Sequence, residues 1–351
     1  MTLRTRGYAA MGPTSPLGAW EFDRREPGPN DVVVDISHCG LCHSDIHQSR
    51  GDWGAAIFPM VPGHEIVGTV SRVGSDVRVW QLGDVVGVGV FVDSCRRCEA
   101  CLAGEEQYCE PGMSTTYNGY EQDGTTPTYG GYSERIVVDE NYVLRIPSGM
   151  SLPAAAPLLC AGITTYSPIR HFGVRSGDRT AVVGLGGLGH MAVKLLKALG
   201  AETTVLSHSP GKRESALRLG ADDFVDTSAP GAFEQHRRRF DFIIDAVSAA
   251  HDYGQYLDLL RRDGTMVLVG LPDRPSPLDA AKLTDRRRRL AGSVIGGIRE
   301  TQEMLDFCAE RGVTADIEMI PIQDVNDAYE RTLRGDVRFR FVIDIATLAQ
   351  S

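Results

Sequence analysis

Between residues 31 and 90 the chain carries short apolar runs, Val32-Val33-Val34-Asp35-Ile36, Ile66-Val67-Gly68-Thr69-Val70 and Val85-Val86-Gly87-Val88, separated by glycines. Short β-branched runs punctuated by turn signals predict an antiparallel, barrel-like β domain. Residues 133–138 and 142–146 continue the pattern. Near Ser151 the periodicity changes. Apolar runs at 180–183, 203–206, 224–226, 240–246, 265–269 and 290–295 alternate with helical patterns such as 190–199 and 253–260. That alternation predicts a doubly wound parallel sheet. After Gly297 a helix is expected over 300–310, then a closing strand, Phe339-Arg340-Phe341-Val342-Ile343. The tail reads as returning to the first domain. The expected organisation is α/β: a discontinuous first domain, residues 1–150 and 297–351, and a second at 151–296.

A length of 351 residues agrees with two cores rather than one. Thirty-six basic against forty-six acidic side chains leave a formal charge of −10, which disfavours nucleic acid as a partner. The arginine runs at 237–239 and 286–289 lie beside acidic residues or β runs and read as solvated faces. No signal-like apolar stretch follows the first residues, and the most apolar segment, 152–169, is broken by Pro153, Pro157 and Pro168. Eight cysteines in such a chain suggest thiolate ligands rather than disulfides, and a cytoplasmic location.

Two kinds of chemistry are visible. Ala181-Val182-Val183 leads into Gly184-Leu185-Gly186-Gly187-Leu188-Gly189, followed by helical periodicity. Strand, glycine-rich turn and helix in that order predict a dinucleotide whose pyrophosphate lies over a helix N-terminus. About 20 residues further on, an NAD site offers a carboxylate to the ribose. Here the segment is Ser207-His208-Ser209-Pro210-Gly211-Lys212-Arg213, where a hydroxyl and Lys212 suit the 2′-phosphate of NADP.

Cys95, Cys98, Cys101 and Cys109 form a CxxCxxCx7C array, which suits tetrahedral structural zinc. The seven-residue final gap differs from the three-residue gap of ferredoxin runs. A dispersed second set comprises Cys42, His64 and Cys160. Two thiolates and one imidazole leave a fourth position open, the arrangement of a catalytic zinc. Taken singly, Cys160 reads equally as a small core residue and His64 as a turn histidine. Cys39 and Cys308 read as buried apolar thiols.

Taken in order, Cys42-His43-Ser44-Asp45, Pro62-Gly63-His64-Glu65, the four-cysteine loop, Tyr129-Gly130-Gly131-Tyr132-Ser133, Leu158-Leu159-Cys160-Ala161-Gly162, the glycine-rich turn and Gly292-Ser293-Val294-Ile295-Gly296 resemble the zinc-dependent medium-chain alcohol dehydrogenases. Within them the chain is most similar to the cinnamyl alcohol dehydrogenase branch and its bacterial NADP-dependent relatives. The resemblance implies a GroES-like catalytic domain beside a Rossmann domain. It implies Cys42, His64 and Cys160 as catalytic zinc ligands and Glu65 as a carboxylate able to approach the metal. Asp45 would orient the ligating imidazole, and Ser44 and His47 would relay the alcohol proton. Thr164, Ser207, His208, Lys212, Gly270, Ser293, Val294 and Ile295 would contact the cofactor. The loop departs from the branch where His208 interrupts its serines and Pro210-Gly211 replaces charged residues. Trp53 is the one candidate pocket wall, against a plain core aromatic.

The activity implied is hydride transfer between NADP(H) and primary alcohols or aldehydes, aromatic or aliphatic, with two zincs per chain. The resemblance also implies a homodimer through the sheet edge near Val294 and Ile295. Two rival readings stand beside it: a polyol or sugar dehydrogenase of the same fold, against which the four-cysteine loop argues, and a non-catalytic nucleotide-binding protein, which has no use for the zinc ligands and relay.

Overall fold

The structure is a computed structural model and describes residues 2–272 and 274–350. It contains two compact units, one running to Cys160 and resuming at Gly296, the other spanning Ala161–Ile295.

The first unit is built on a seven-stranded sheet whose hub is the strand Asp31–Gly40. It pairs antiparallel with Ile66–Val73, with Arg135–Asp139 and with the tail strand Arg340–Asp344. One strand serves three partners because Arg135–Asp139 takes its first half, residues 31–35, and Arg340–Asp344 its end, residues 38–40, while its register against Ile66–Val73 shifts between Val33 and Val34 and again between Ile36 and His38. Such bulges bend and twist a strand, and so curve the sheet. Val32, Val34, Ile66, Val67, Val86 and Val88 fill the interior. Gly68 permits a close crossing, since a Cβ there would lie 2.2 Å from the Asp35 carbonyl oxygen.

The sequence pattern puts the end of this unit at residue 150; the structure carries it to Cys160. The intervening turns, Leu152–Ala155 and Ala156–Leu159, are apolar enough to look like the start of the helical domain, yet they cover the first sheet. Leu159 packs over Gly87, where an added Cβ would meet its Cδ1 at 2.9 Å.

The second unit is a six-stranded, fully parallel sheet. Its strands, in chain order, are Arg179–Val183, Glu202–Ser207, Asp223–Asp226, Phe240–Asp245, Leu260–Leu268 and Arg289–Gly292. Numbered that way, their spatial order is 3-2-1-4-5-6, the Rossmann arrangement. Helix Gly187–Leu199 buries Met191, Ala192, Val193, Leu195 and Leu196 on the face its periodicity predicts.

Two elements differ from the pattern. The expected helix at 253–260 stops at Leu257, because Leu260 pairs with Phe240 and opens a strand. The expected strand at 290–295 ends at Gly292, and Ile295 takes a φ of +36°, incompatible with a continuing strand. One arginine of the expected solvated runs is also inside: Arg288 is buried and donates to the carbonyls of Leu260 and Lys282, besides pairing with Asp258. Among the described residues no helix is long and apolar enough to cross a membrane.

Candidate active site

Where the hub strand ends, Cys42 caps the helix His43–Arg50, and Asp45 reaches back to it. Asp45 is fully buried. Its Oδ2 accepts the Cys42 amide at 2.8 Å; its Oδ1 accepts the Gly63 amide at 3.1 Å and lies 3.0 Å from His64 Nδ1. One carboxylate thus aligns the Cys42 segment with the Gly63-His64 segment, and the Tyr132 hydroxyl donates to it as well at 3.3 Å. With Nδ1 committed to Asp45, Nε2 is the His64 atom left to ligate. Gly63, at φ +101°, has no room for a side chain: a Cβ would meet Tyr132 at 2.7 Å and the Cys39 sulfur at 2.8 Å.

These constraints converge. The donor atoms of Cys42, His64, Glu65 and Cys160 all lie within 4.8 Å of one another and all four residues are buried. The two sulfurs are 4.0 Å apart. The Cys42 thiol is held well below its ordinary pKa, chiefly by the hydrogen bond from Cys160, whose own thiol is pushed up by the same contact. Burial works against a charged His64, but Asp45 outweighs it and the net shift is upward. Glu65 is pushed up to about 7 by burial, with the Arg340 guanidinium opposing. Arg340 donates to Glu65 Oε1; Oε2 is buried without a hydrogen-bond partner. Two thiols, an imidazole and an orphaned carboxylate oxygen make a donor set that fits zinc.

Ser44 and His47 lie on one face of the same short helix, at i and i+3. The Cys42 sulfur lies 3.7 Å from Ser44 Oγ. His47 Nδ1 is 2.8 Å from Asp52 Oδ2, which leaves Nε2 as the ring nitrogen outside that contact. Trp53 is no core aromatic: it is 47% exposed and stacks on His47 at 5.2 Å.

Sequence reasoning missed Asp52 and Arg340. Asp52 carries no motif, being one acid in a polar turn. Arg340 did leave a signal, a lone charge inside the apolar run Phe339 to Ile343, because a buried arginine needs a partner.

The four-cysteine set forms a separate lobe. Its sulfurs also lie within 4.8 Å of one another. Backbone amides face them: the Cys95 amide donates to Cys109 Sγ at 3.3 Å and the Cys98 amide to Cys95 Sγ at 3.4 Å. Hydrogen bonds led by the Arg97 amide hold the Cys95 thiol down at about 6. Among the described residues no carboxylate or imidazole joins this cluster, so it has the composition of a closed structural site. Cys39 and Cys308 are fully buried.

In the second unit the three motif glycines have distinct reasons. Gly184 turns at φ +85°. Gly189 lets helix and turn touch, since a Cβ there would lie 2.1 Å from the Gly184 carbonyl oxygen. Gly186 faces open space, where a Cβ would meet nothing within 4 Å. It precedes a helix with no side-chain cap, so the first amides of that helix remain available to a ligand. The turn fits a pyrophosphate. Ser207 ends the second strand, buried, and accepts the Ser209 amide at 3.2 Å. Lys212 Nζ donates to the Leu185 carbonyl at 3.0 Å, which ties the phosphate-loop candidate to the glycine-rich turn, while His208 is exposed to solvent. Thr164 is buried on helix Ala161–His171; Gly270 and Ser293 follow the fifth and sixth strands, Val294 is exposed and Ile295 buried.

With this geometry in hand, comparison places the chain. Residues 28–148 match the alcohol dehydrogenase GroES-like domain and residues 187–310 match the zinc-binding dehydrogenase domain. The chain is 58% identical over 341 residues to NADP-dependent alcohol dehydrogenase C of Mycobacterium bovis, covering 97% of this chain and 98% of that one. A cinnamyl alcohol dehydrogenase from Sorghum bicolor superposes with a TM-score of 0.96 at 46% identity, over 98% of both chains. The CAD of Helicobacter pylori, solved in complex with NADP(H), gives 0.93 at 40% identity over 99% of both. The chain belongs to the zinc-dependent medium-chain alcohol dehydrogenases, in their cinnamyl alcohol dehydrogenase-like branch.

Proposed function

We propose that the protein interconverts primary alcohols and aldehydes, aromatic or aliphatic, using zinc and NADP(H). The observation that carries this reading is the buried convergence of Cys42, His64 and Cys160, with Glu65 beside them holding Arg340 through Oε1 and leaving Oε2 unpartnered. When bound, zinc at these ligands supplies Lewis acidity toward the substrate oxygen and NADP(H) at the glycine-rich turn supplies or takes the hydride. The protein's own residues do the rest. Asp45 fixes the tautomer and direction of His64 and the position of Cys42. Ser44 Oγ exchanges the proton of the alcohol, and His47 Nε2 passes it to solvent, its ring held by Asp52. Cys95, Cys98, Cys101 and Cys109 would hold a second zinc, for structure alone. Ser207 and Lys212 favour the 2′-phosphate over a free ribose hydroxyl.

Two assembly-level readings go with it. The strand Arg289–Gly292 is a sheet edge with Val294 47% exposed beside it, which supports a homodimer through that edge. None of the eight cysteines is joined in a disulfide, which suits the reducing cytoplasm. The decisive experiment measures zinc content and NADPH oxidation across a panel of aldehydes, in the parent and in Cys160→Ala. The parent should hold two zincs and be active; the variant should keep one zinc, stay folded and lose activity. Full aldehyde reduction by Cys160→Ala, or iron in place of zinc, overturns the assignment. Light scattering tests the dimer, and a monomer refutes it.

A further inference from the structure

The parallel sheet reverses its strand order between Arg179–Val183 and Phe240–Asp245. In such sheets ligands enter at the carboxyl ends of those two strands. The turn over residues 246–252 follows the second of them, and no cofactor motif includes it. Its Val247 nevertheless abuts two glycines expected at the cofactor. A Cβ on Gly184 would meet Val247 Cγ2 at 2.7 Å, and one on Gly270 would lie 2.4 Å from the Val247 carbonyl oxygen. Val247 is the wedge between the glycine-rich turn and Gly270.

The wedge is held from behind. Asp245 is 1% exposed; its Oδ1 accepts the Val247 amide at 3.0 Å. Its Oδ2 lies 2.8 Å from His251 Nε2, while His251 Nδ1 lies 2.8 Å from the Ala249 carbonyl oxygen. A carbonyl and a carboxylate only accept, so the ring makes both bonds only when both nitrogens carry protons, as an imidazolium. The rings of Tyr253 and Tyr256 meet it edge-on at 4.9 and 5.3 Å. Asp252, the N-cap of the following helix, adds a second negative charge nearby.

We propose that His251, bridging Asp245 and the Ala249 carbonyl as a cation, is a positioning residue for the dinucleotide: it seats Val247 against Gly184 and Gly270 and so shapes the cofactor cleft. The inference rests on the reading that the 184–189 turn holds NADP(H). Burial alone would lower the His251 pKa, but the Asp245 hydrogen bond outweighs it and the net shift is upward. The bridge is therefore complete below the ordinary imidazole pKa, about 6.5, and is lost as pH rises through the raised folded value. Cofactor affinity should fall over that rise. By linkage, bound NADPH should lift the His251 pKa by the same factor, about one unit for a tenfold change in affinity.

The test uses the zinc-loaded protein. The His251 ring is titrated by NMR with and without NADPH, and the NADPH Kd is followed by fluorescence over the same pH range in the parent, His251→Gln and His251→Phe. The parent should lose affinity roughly tenfold across the His251 titration, and the ring pKa should rise on NADPH binding. His251→Gln should bind about tenfold more weakly at the acid end, lose the pH dependence, and keep kcat within a small factor. A His251 pKa indifferent to NADPH overturns the proposal even if both variants fail to fold, and so does a variant that retains the parent's pH dependence. A parent that binds no NADPH at all would instead sink the dinucleotide reading itself.

Discussion

Arg340→Met isolates what the tail contributes to the metal centre. Arg340 and Glu65 are 5% and 0% exposed, and among the described residues the guanidinium is the one donor to the Glu65 carboxylate, whose other oxygen already lacks a partner. Removing the cation leaves a buried carboxylate uncompensated, which costs about 3–5 kcal/mol. At roughly 2–4 °C per kcal/mol for a unit of this size, the melting temperature should drop by about 6–20 °C. Adding Glu65→Gln removes the orphaned charge. The double variant should recover much of the loss, with a coupling energy on the order of 2 kcal/mol or more. Scanning calorimetry of parent, both single variants and the double variant, at one fixed zinc concentration and with zinc content measured, closes the cycle. A single variant that loses less than about 1 kcal/mol, or two losses that simply add, would refute the reasoning that this pair is one coupled buried unit.

Lys212→Ala should weaken NADPH use by about ten- to a hundredfold in kcat/KM, with a smaller effect on NADH through the lost tie to the Leu185 carbonyl. Ser207→Asp should add repulsion toward the 2′-phosphate and move preference further to NADH; a parent that prefers NADH contradicts both expectations. Gly189→Ala should destabilise the second unit by about 1–3 kcal/mol, because its Cβ would sit 2.1 Å from the Gly184 oxygen. Gly186→Ala, facing open space, should leave the melting temperature alone and raise the KM for NADPH; equal melting temperatures for the two variants would contradict the distinct roles. Cys98→Ser should lower stability and soluble yield by removing a ligand from the four-cysteine set, and zinc analysis should find one metal where the parent holds two; an unchanged melting temperature would show that the lobe needs no metal.

The amino-acid order alone determined what depends on neighbours in the chain. Period-two runs and the alternation after Ser151 specified the two sheet types, because a strand's side-chain period and a helix's are set by local geometry. The spacing of Cys95, Cys98, Cys101 and Cys109 and the glycines from Gly184 to Gly189 were legible for the same reason: each set occupies one short stretch of backbone. The scattered catalytic set was different. Cys42, His64 and Cys160 became visible by resemblance to a family, since nothing in a sequence states that residues 118 positions apart share a 4.0 Å contact. Tertiary structure decided that Asp45 would serve both Cys42 and His64, that Asp52 would hold His47, and that Arg340 would come from the far end of the chain to pair with Glu65. It also decided that the segment from Ser151 to Cys160 covers the first sheet, although its apolar pattern suits either domain. His251 shows the limit most plainly: a lone histidine in a polar turn becomes a bridge only because folding sets an acceptor against each of its nitrogens. Burial turns such chance neighbours into energetically coupled partners, and burial is a property of the packed chain.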